Sequence, residues 1–414
     1  MAQSHASIDL PWWEKSLIIF SFLLMMKAFI PLLELGAVDQ TNRENSVILP
    51  PLLLLTYIFP LIYLAWNWRE FFIKIRRLAT VFVLLGYLIV STAWSQFPEI
   101  TLFRAVSALL TTLFAVYLSM RCSAEQIMHF FSVTVTILLL GSLLFVLLIP
   151  SLAISSGGLY GGSWNGVFQT KNALGLVLGI GCITFLFKAM TSRSQKDIAL
   201  ALCCFAMLYL SNAKSSLAAS VLTLLFVCIF SAIRSVAPTR LPLFLTLSII
   251  SIIITITGVV ANFEAILSFM GRDGTLTNRS EIWSLVEYYI QDNFWRGHGY
   301  RVFFAKPDVQ MLFQQILQGR VPAHSHNIFI EMMLDGGIIG VFLLLFVLLQ
   351  AFIRSIIYSI SQPWAARYWY LAIMLYILII GQVEAFSFSN YLWVLVVLVS
   401  GVVPTQQSTP AILK

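Results

Sequence analysis

Runs of about 20 apolar residues, separated by short charged breaks, recur from one end of this chain to the other. Each run is long enough to cross the roughly 30 Å hydrocarbon layer of a bilayer. With no water there to satisfy backbone N–H and C=O groups, each must be a helix. A membrane β-barrel would read instead as short alternating segments, and none is visible. Charged residues make up 10% of the 414 residues, against roughly 25% in a soluble domain. The chain therefore reads as an all-α polytopic membrane protein.

The runs predict about twelve spans. They lie near 16–34, 47–66, 78–94, 101–119, 127–149, 172–190, 198–211, 215–234, 242–261, 328–352, 367–384 and 387–403. Short loops facing the cytoplasm are enriched in Lys and Arg. One alternate set of breaks holds Arg69, Lys74, Arg76, Arg77, Arg121, Lys188, Arg193, Lys196, Arg234, Arg240, Arg354 and Arg367, and is expected to be cytoplasmic. The other set carries only Arg43, Lys171 and Lys214 besides the long loop after the ninth span, and faces outward. Both termini are then inside. The expected organisation is one transmembrane domain over 1–403, with a large outward loop over 262–327 between the ninth and tenth spans, and a polar, disordered tail over 404–414.

Several function classes drop out. The net charge of +7 sits mainly in the inter-span breaks, where it sets topology, so no nucleic-acid partner is expected. The five cysteines form no CxxC pair and read as small core residues, which indicates neither a zinc site nor a disulfide framework. The first apolar run lacks a basic leader and a small-residue cleavage site, and is expected to stay as a membrane helix.

Chemistry concentrates in Gly271–Gly340, which holds six Arg and Lys residues and three of the five histidines. His324 and His326 in AHSHN stand just before the tenth span, where an imidazole can serve as a general base. The competing readings are a metal pair, for which no carboxylate or cysteine at ligand spacing completes a set, and a plain interfacial histidine beside Asn327 as helix cap. Arg272, Arg279, Arg296 and Arg301 share the loop, and a guanidinium fork suits phosphate oxygens. Arg279 is the sharpest of them, because Thr277 or Asn278 can cap a helix whose first turn carries it, beside amides that favour an anion. Lys214 in SNAKSS and Asn172 in NGVFQTKNALG fall on the same outward face. Snorkelling to headgroups is the plain reading of Lys214, and a functional charge the other. Glu331 and Asp335 lie one turn apart and either pair inside the bundle or orient the base, while Asp335-Gly336-Gly337 suggests a break in the tenth span where it lines a cavity. Arg104 and Glu384 read as structural pairing inside the bundle, and Trp164 and Trp283 as interfacial aromatics.

NGVFQTKNALG, LYLSNAKSSLA, GRDGTLTNRSEIW, NFWRGHGYRVFF and AHSHNIFIEMMLDGGIIG, in that order and spacing, resemble the motifs of the O-antigen ligase and O-antigen polymerase superfamily. The resemblance covers roughly 160–345 and is nearest to the exopolysaccharide-polymerase-like branch. It implies a GT-C-like helical bundle without metal or other cofactor. The implied reaction is glycosyl transfer, outside the cytoplasm of a bacterial inner membrane, from a polyprenyl-pyrophosphate-linked glycan to a hydroxyl of a glycan or lipid-linked acceptor. Carried over by motif, the base falls on His326 and the loop arginine on Arg279. An arginine of many ligases falls on Lys214, which keeps the charge but loses the bidentate fork. Arg301 is a further diphosphate candidate, and Asn172, His324, Asn327 and Glu331 are supporting residues. The alternative from another class is a membrane transporter for an anion of the inorganic-carbon type, which would need a site open to both faces.

Overall fold

The computed structural model describes residues 9–33, 49–156, 161–235, 279–317, 319, 321–362 and 365–402. The ninth expected span, the first part of the outward loop with Arg272, Thr277 and Asn278, and the tail lie outside the described residues. The described chain is helical. In order, α1 is Trp12–Met25, α2 Leu49–Trp66, α3 Trp68–Arg77, α4 Ala79–Val90 and α5 Pro98–Arg121. Next come α6, Ala124–Leu148; α7, Lys171–Ser192; α8, Gln195–Leu210; and α9, Lys214–Ser235. After the undescribed stretch follow α10, Arg279–Asp292; α11, Pro307–Ile316; α12, Ile328–Ser361; α13, Trp369–Ile380; and α14, Tyr391–Gly401. Five helices are long and apolar enough to cross a membrane, or six if the bent pair α2 and α3 counts as one.

Polar side chains mark the helix starts. Ser123 and Gln126 form a reciprocal capping box at α6, Thr170 caps α7, and Asn390 accepts from two amides at the start of α14. Between spans, close approach depends on glycine: a Cβ on Gly175 would meet Ala213 Cβ at 2.3 Å, and one on Gly181 would meet Val135 Cγ1 at 2.6 Å. α7 thus lies tight against the start of α9 and the middle of α6, as small residues allow between membrane helices.

α13 and α14 are buried over most of their length, with Trp369 and Trp393 among the largest wholly enclosed side chains. Their indole N–H groups donate to Thr184 Oγ1 at 3.1 Å and Thr112 Oγ1 at 2.8 Å, which removes the penalty of burying them. At 12 and 11 residues they measure only about 17–18 Å at 1.5 Å per residue. The 381–390 connection between them is consequently recessed into the bundle, with Glu384 6% and Phe388 1% exposed. A second, smaller core of Ile282, Val286, Phe303, Phe304, Val309, Phe313 and Leu317 closes around Leu334 of α12 and forms a cap over that recess.

Candidate functional site

The AHSHN segment is held rigidly at the mouth of the bundle. Asn327 Oδ1 accepts from the amides of Phe329 and Ile330 at 2.9 and 3.1 Å, so Asn327 is the N-cap of α12. Its Nδ2 donates to Gln382 O at 3.0 Å, and Ile328 N donates to Gly381 O at 2.8 Å, which staples the segment to the recessed connection. Ser325 N donates to Glu331 Oε2 at 2.8 Å, and Trp283 Nε1 donates to Ser325 O at 2.8 Å. Trp283, expected as an interfacial aromatic, is therefore a brace for this turn. Between these anchors His326 takes a left-handed backbone, φ 56°, a conformation that costs a non-glycine residue of order 1–3 kcal/mol and persists where its surroundings impose it.

Glu384 is the hub of the site. His326 Nδ1 lies 3.2 Å from its Oε2, and Oε1 accepts from Asn172 Nδ2 at 2.8 Å and from Arg279 Nη2 at 3.2 Å. Burial pushes this carboxyl up, but the hydrogen bond from His326 and the electrostatics of the neighbouring imidazoles and Arg279 outweigh it and hold the group below its ordinary value. An ionised carboxylate can only accept, so Nδ1 of His326 carries the proton, and in the neutral ring Nε2 is the nitrogen with the lone pair. Arg104, read with Glu384 as structural pairing inside the bundle, donates through Nη1 to the carbonyl of Arg301. Glu384 is the acid that meets the His326 ring, and Glu331 reaches that turn through the Ser325 amide. A carboxylate 58 positions from its histidine has no local spacing to reveal it; its one sequence signal was an acid at the end of an apolar run.

His324 packs edge-on against His326 at 4.2 Å between centroids, and its Nδ1 accepts from His326 N at 3.2 Å. Burial first, then the charges of His326, Arg301 and Arg279, hold it down to about 3. The bond to the His326 amide needs a deprotonated Nδ1, so geometry and electrostatics agree. His324, His326 and Glu384 each bring one possible metal ligand within 4.8 Å of the others. Folding thus supplies the third ligand that sequence spacing lacked. The Glu384 oxygens are already engaged by His326, Asn172 and Arg279, so a cation there would displace those partners.

Arg301 is set by a different device. α12 breaks at Gly337, φ 61°, ψ −163°, and two hydrogen bonds of the regular helix are exchanged for four with the segment 294–299. Ile338 N donates to Phe294 O at 2.9 Å and Ile339 N to Trp295 O at 3.4 Å; His298 N donates to Leu334 O at 2.7 Å and Gly299 N to Asp335 O at 3.0 Å. The expected break is real, and it is filled by protein backbone. Just beyond, Arg301 N donates to Asp335 Oδ1 at 2.7 Å, and its Nη1 donates to Glu331 Oε1 at 2.9 Å. Glu331 thereby ties Arg301 to the His326 turn through the Ser325 amide.

The structure gathers His326, Arg279, Asn172, His324, Asn327, Glu331 and Arg301 around the recessed connection. Lys214 is the first residue of α9, beside the first turns of α7 that carry Lys171 and Asn172. The third loop histidine stands apart: His298 Nδ1 faces Lys306 Nζ at 3.2 Å and its Nε2 faces Tyr289 O at 3.0 Å inside the cap.

Residues 199–345 match the family described as O-antigen ligase. The family match takes in Lys214, Arg279, Arg301, His324, His326, Asn327 and Glu331 but not Asn172 or Glu384. The exopolysaccharide production protein ExoQ of Rhizobium meliloti (strain 1021) is 27% identical over 213 residues, 48% of each chain, so the chain spans about half the length of the curated relative it matches. Together these bear out the resemblance carried by the motifs: the chain is similar to the O-antigen ligases and to a protein of exopolysaccharide production.

Proposed function

We propose that the protein is a membrane glycosyltransferase that moves a glycan from a polyprenyl-pyrophosphate carrier to a hydroxyl of a glycan or lipid-linked acceptor, on the outward face of a bacterial inner membrane, with both termini cytoplasmic. The observation that carries this reading is the buried Glu384 shared between His326 and Arg279. A donor that already bears a good leaving group needs its charge held, its anomeric carbon aligned with the acceptor, and one proton removed. His326 Nε2, fixed by Glu384 on the far side of the ring, takes the acceptor proton. The acceptor oxygen bonds to the anomeric carbon as the carbon–diphosphate bond breaks, and the electron pair leaves on the diphosphate. A single displacement of this kind inverts the anomeric centre.

Arg279, Lys214 and Arg301 are the cations for the diphosphate. Arg279 is paired with Glu384 and Arg301 with Glu331. An arriving diphosphate competes for these guanidinium groups, and Glu384 released from Arg279 still accepts from His326. Donor binding thus strengthens the base that the reaction needs. The residues supply base and cations without a metal, so EDTA is expected to leave the rate unchanged.

The test is reconstitution of the purified protein with a polyprenyl-diphosphate-linked oligosaccharide and acceptor. His326→Ala is expected to lower turnover by roughly 10²–10⁴-fold, the usual weight of a general base. Glu384→Gln, which keeps the shape but not the charge, is expected to lower it less and to move the acid limb of the pH–rate profile to lower pH. Wild-type turnover by His326→Ala, or zinc-dependent activity after EDTA, would overturn the assignment. Glycan analysis of a deletion strain then separates polymerisation, read as lost chain length, from ligation, read as lost attachment.

A further inference from the structure

A second concentration of cations lies at the other end of the bundle. α3 leaves the direction of α2 at 100° after the break at Asn67. On a helical wheel, Trp68, Phe71, Phe72 and Ile75 fall on one face, and Arg69, Lys74, Arg76 and Arg77 fall on the other with Glu70 and Ile73. None of these side chains is fully buried. The exposed stripe of α2, Leu54, Leu55, Ile58, Ile62 and Trp66, runs directly into exposed Trp68 and Phe72. A helix at right angles to a span, whose apolar face continues the lipid-facing surface, lies in the plane of the membrane interface.

Of the described acids, Glu70 on the same helix acts on Lys74 without pairing with it. Among the described residues none of Arg69, Lys74, Arg76 and Arg77 forms an ion pair. Lys74 Nζ donates to Ser119 O at 3.0 Å. Arg354 of α12 adds a fifth charge: its guanidinium donates to Arg77 O at 3.2 Å and to the carbonyl of Ser400. Together with Gln350 Nε2, 3.0 Å from Arg77 O, it fixes the end of α3 to the bundle.

We propose that α3, with Arg354, is a binding surface for anionic phospholipid headgroups in the leaflet opposite the catalytic site. The apolar face sets the depth of the helix among the acyl chains, and the guanidinium groups at headgroup level meet phosphodiester oxygens, which suit their paired donors. The proposal is independent of the glycosyl transfer reading, because its readout needs no glycan substrate.

The experiment reconstitutes the purified full chain in vesicles of mixed phosphatidylglycerol and phosphatidylcholine, excises it with its annular lipid into nanodiscs, and measures the lipid ratio by mass spectrometry. The wild type is expected to hold phosphatidylglycerol several-fold above the bulk ratio at low salt and less at high salt. Arg69→Gln/Arg76→Gln/Arg77→Gln is expected to fall to the bulk ratio, and Glu70→Gln to retain the enrichment. Arg76→Gln alone, at an exposed side chain with no partner among the described residues, is expected to fall part of the way and guards against a misfolded triple variant. Equal ratios in the wild type and Arg76→Gln, or enrichment unaffected by salt, would overturn the proposal.

Discussion

At the scale of single residues, the site is a chain of acceptors that commits each proton to one place. Glu384 accepts a hydrogen bond from Nδ1 of His326, and Nδ1 of His324 accepts one from the backbone N–H of the same residue. His324 is therefore a neutral acceptor whose protonation breaks a bond that holds the base. Its value in the folded protein, about 3, is below the roughly 6.5 of a free histidine. Between these values the unfolded chain binds more protons than the folded one, so stability is complete above the upper value and falls as pH drops towards the lower. Wild-type protein is expected to lose thermal stability between pH 7 and 5 more steeply than His324→Asn, whose amide oxygen preserves an acceptor for the His326 amide. Scanning calorimetry of both proteins across that range, showing equal slopes, would remove His324 from this role. What the sequence made legible here was the local part. AHSHN and TNRSEIW stood out because polar residues are sparse in such a chain, and Asn327 caps its helix as its position suggested. Glu384 was legible only as a structural partner inside the bundle, because no local spacing ties EAFSFSN to AHSHN 58 positions away.

At the scale of elements, the broken α12 carries the geometry of Arg301. The four hydrogen bonds between 294–299 and 334–339 hold only if two glycines meet face to face. A Cβ on Gly337 would stand 2.4 Å from Trp295 C, and one on Gly297 would stand 2.6 Å from the amides of Gly336 and Gly337. Both also have positive φ, 61° and 66°, where an L side chain adds roughly 1–3 kcal/mol of strain. Gly337→Ala is expected to push the inserted segment out, expose amides 298, 299, 338 and 339 to hydrogen exchange, and lower transfer by displacing Arg301 from Glu331. Gly86→Ala, where an added Cβ meets nothing within 4 Å, is the control expected to keep both properties. If Gly337→Ala exchanges like the control, the break is no more than a kink. The dipeptide Gly336-Gly337 announced a break, but not its occupant, since pairing between 294–299 and 334–339 follows no helical or strand period. α3 was hidden for a related reason: WREFFIKIRR reads as a charged inter-span loop by its residues, and as an amphipathic helix only by their spacing.

At the scale of the molecule, two polar constellations occupy opposite ends of one apolar bundle. α4 runs from Leu78, beside the α3 cations, to the turn at Ser91–Trp94, where Trp94 Nε1 donates to Arg296 O in the cap at 3.1 Å. α12 runs the other way, from His326 to Arg354. The described residues that link the two ends are side chains of the main core, and the matches to an O-antigen ligase family and an exopolysaccharide protein lend the transporter reading no support. A transporter needs the recess around Glu384 to open alternately to both faces, whereas a transferase needs it open only to the side where its carrier and acceptor meet. Single cysteines in a variant lacking the five native ones decide between these. Tyr288→Cys, at a side chain 73% exposed on the cap, and Ser387→Cys in the recessed connection are expected to react with a membrane-impermeant maleimide added to intact cells. Arg76→Cys on α3 is expected to react only in inverted vesicles. Should Ser387→Cys react from both sides at comparable rates, the recess is a passage and the base assigned to His326 loses its purpose. Reaction from the cap side alone leaves a one-sided site, whose buried carboxylate serves a stationary histidine at the face where the cations gather.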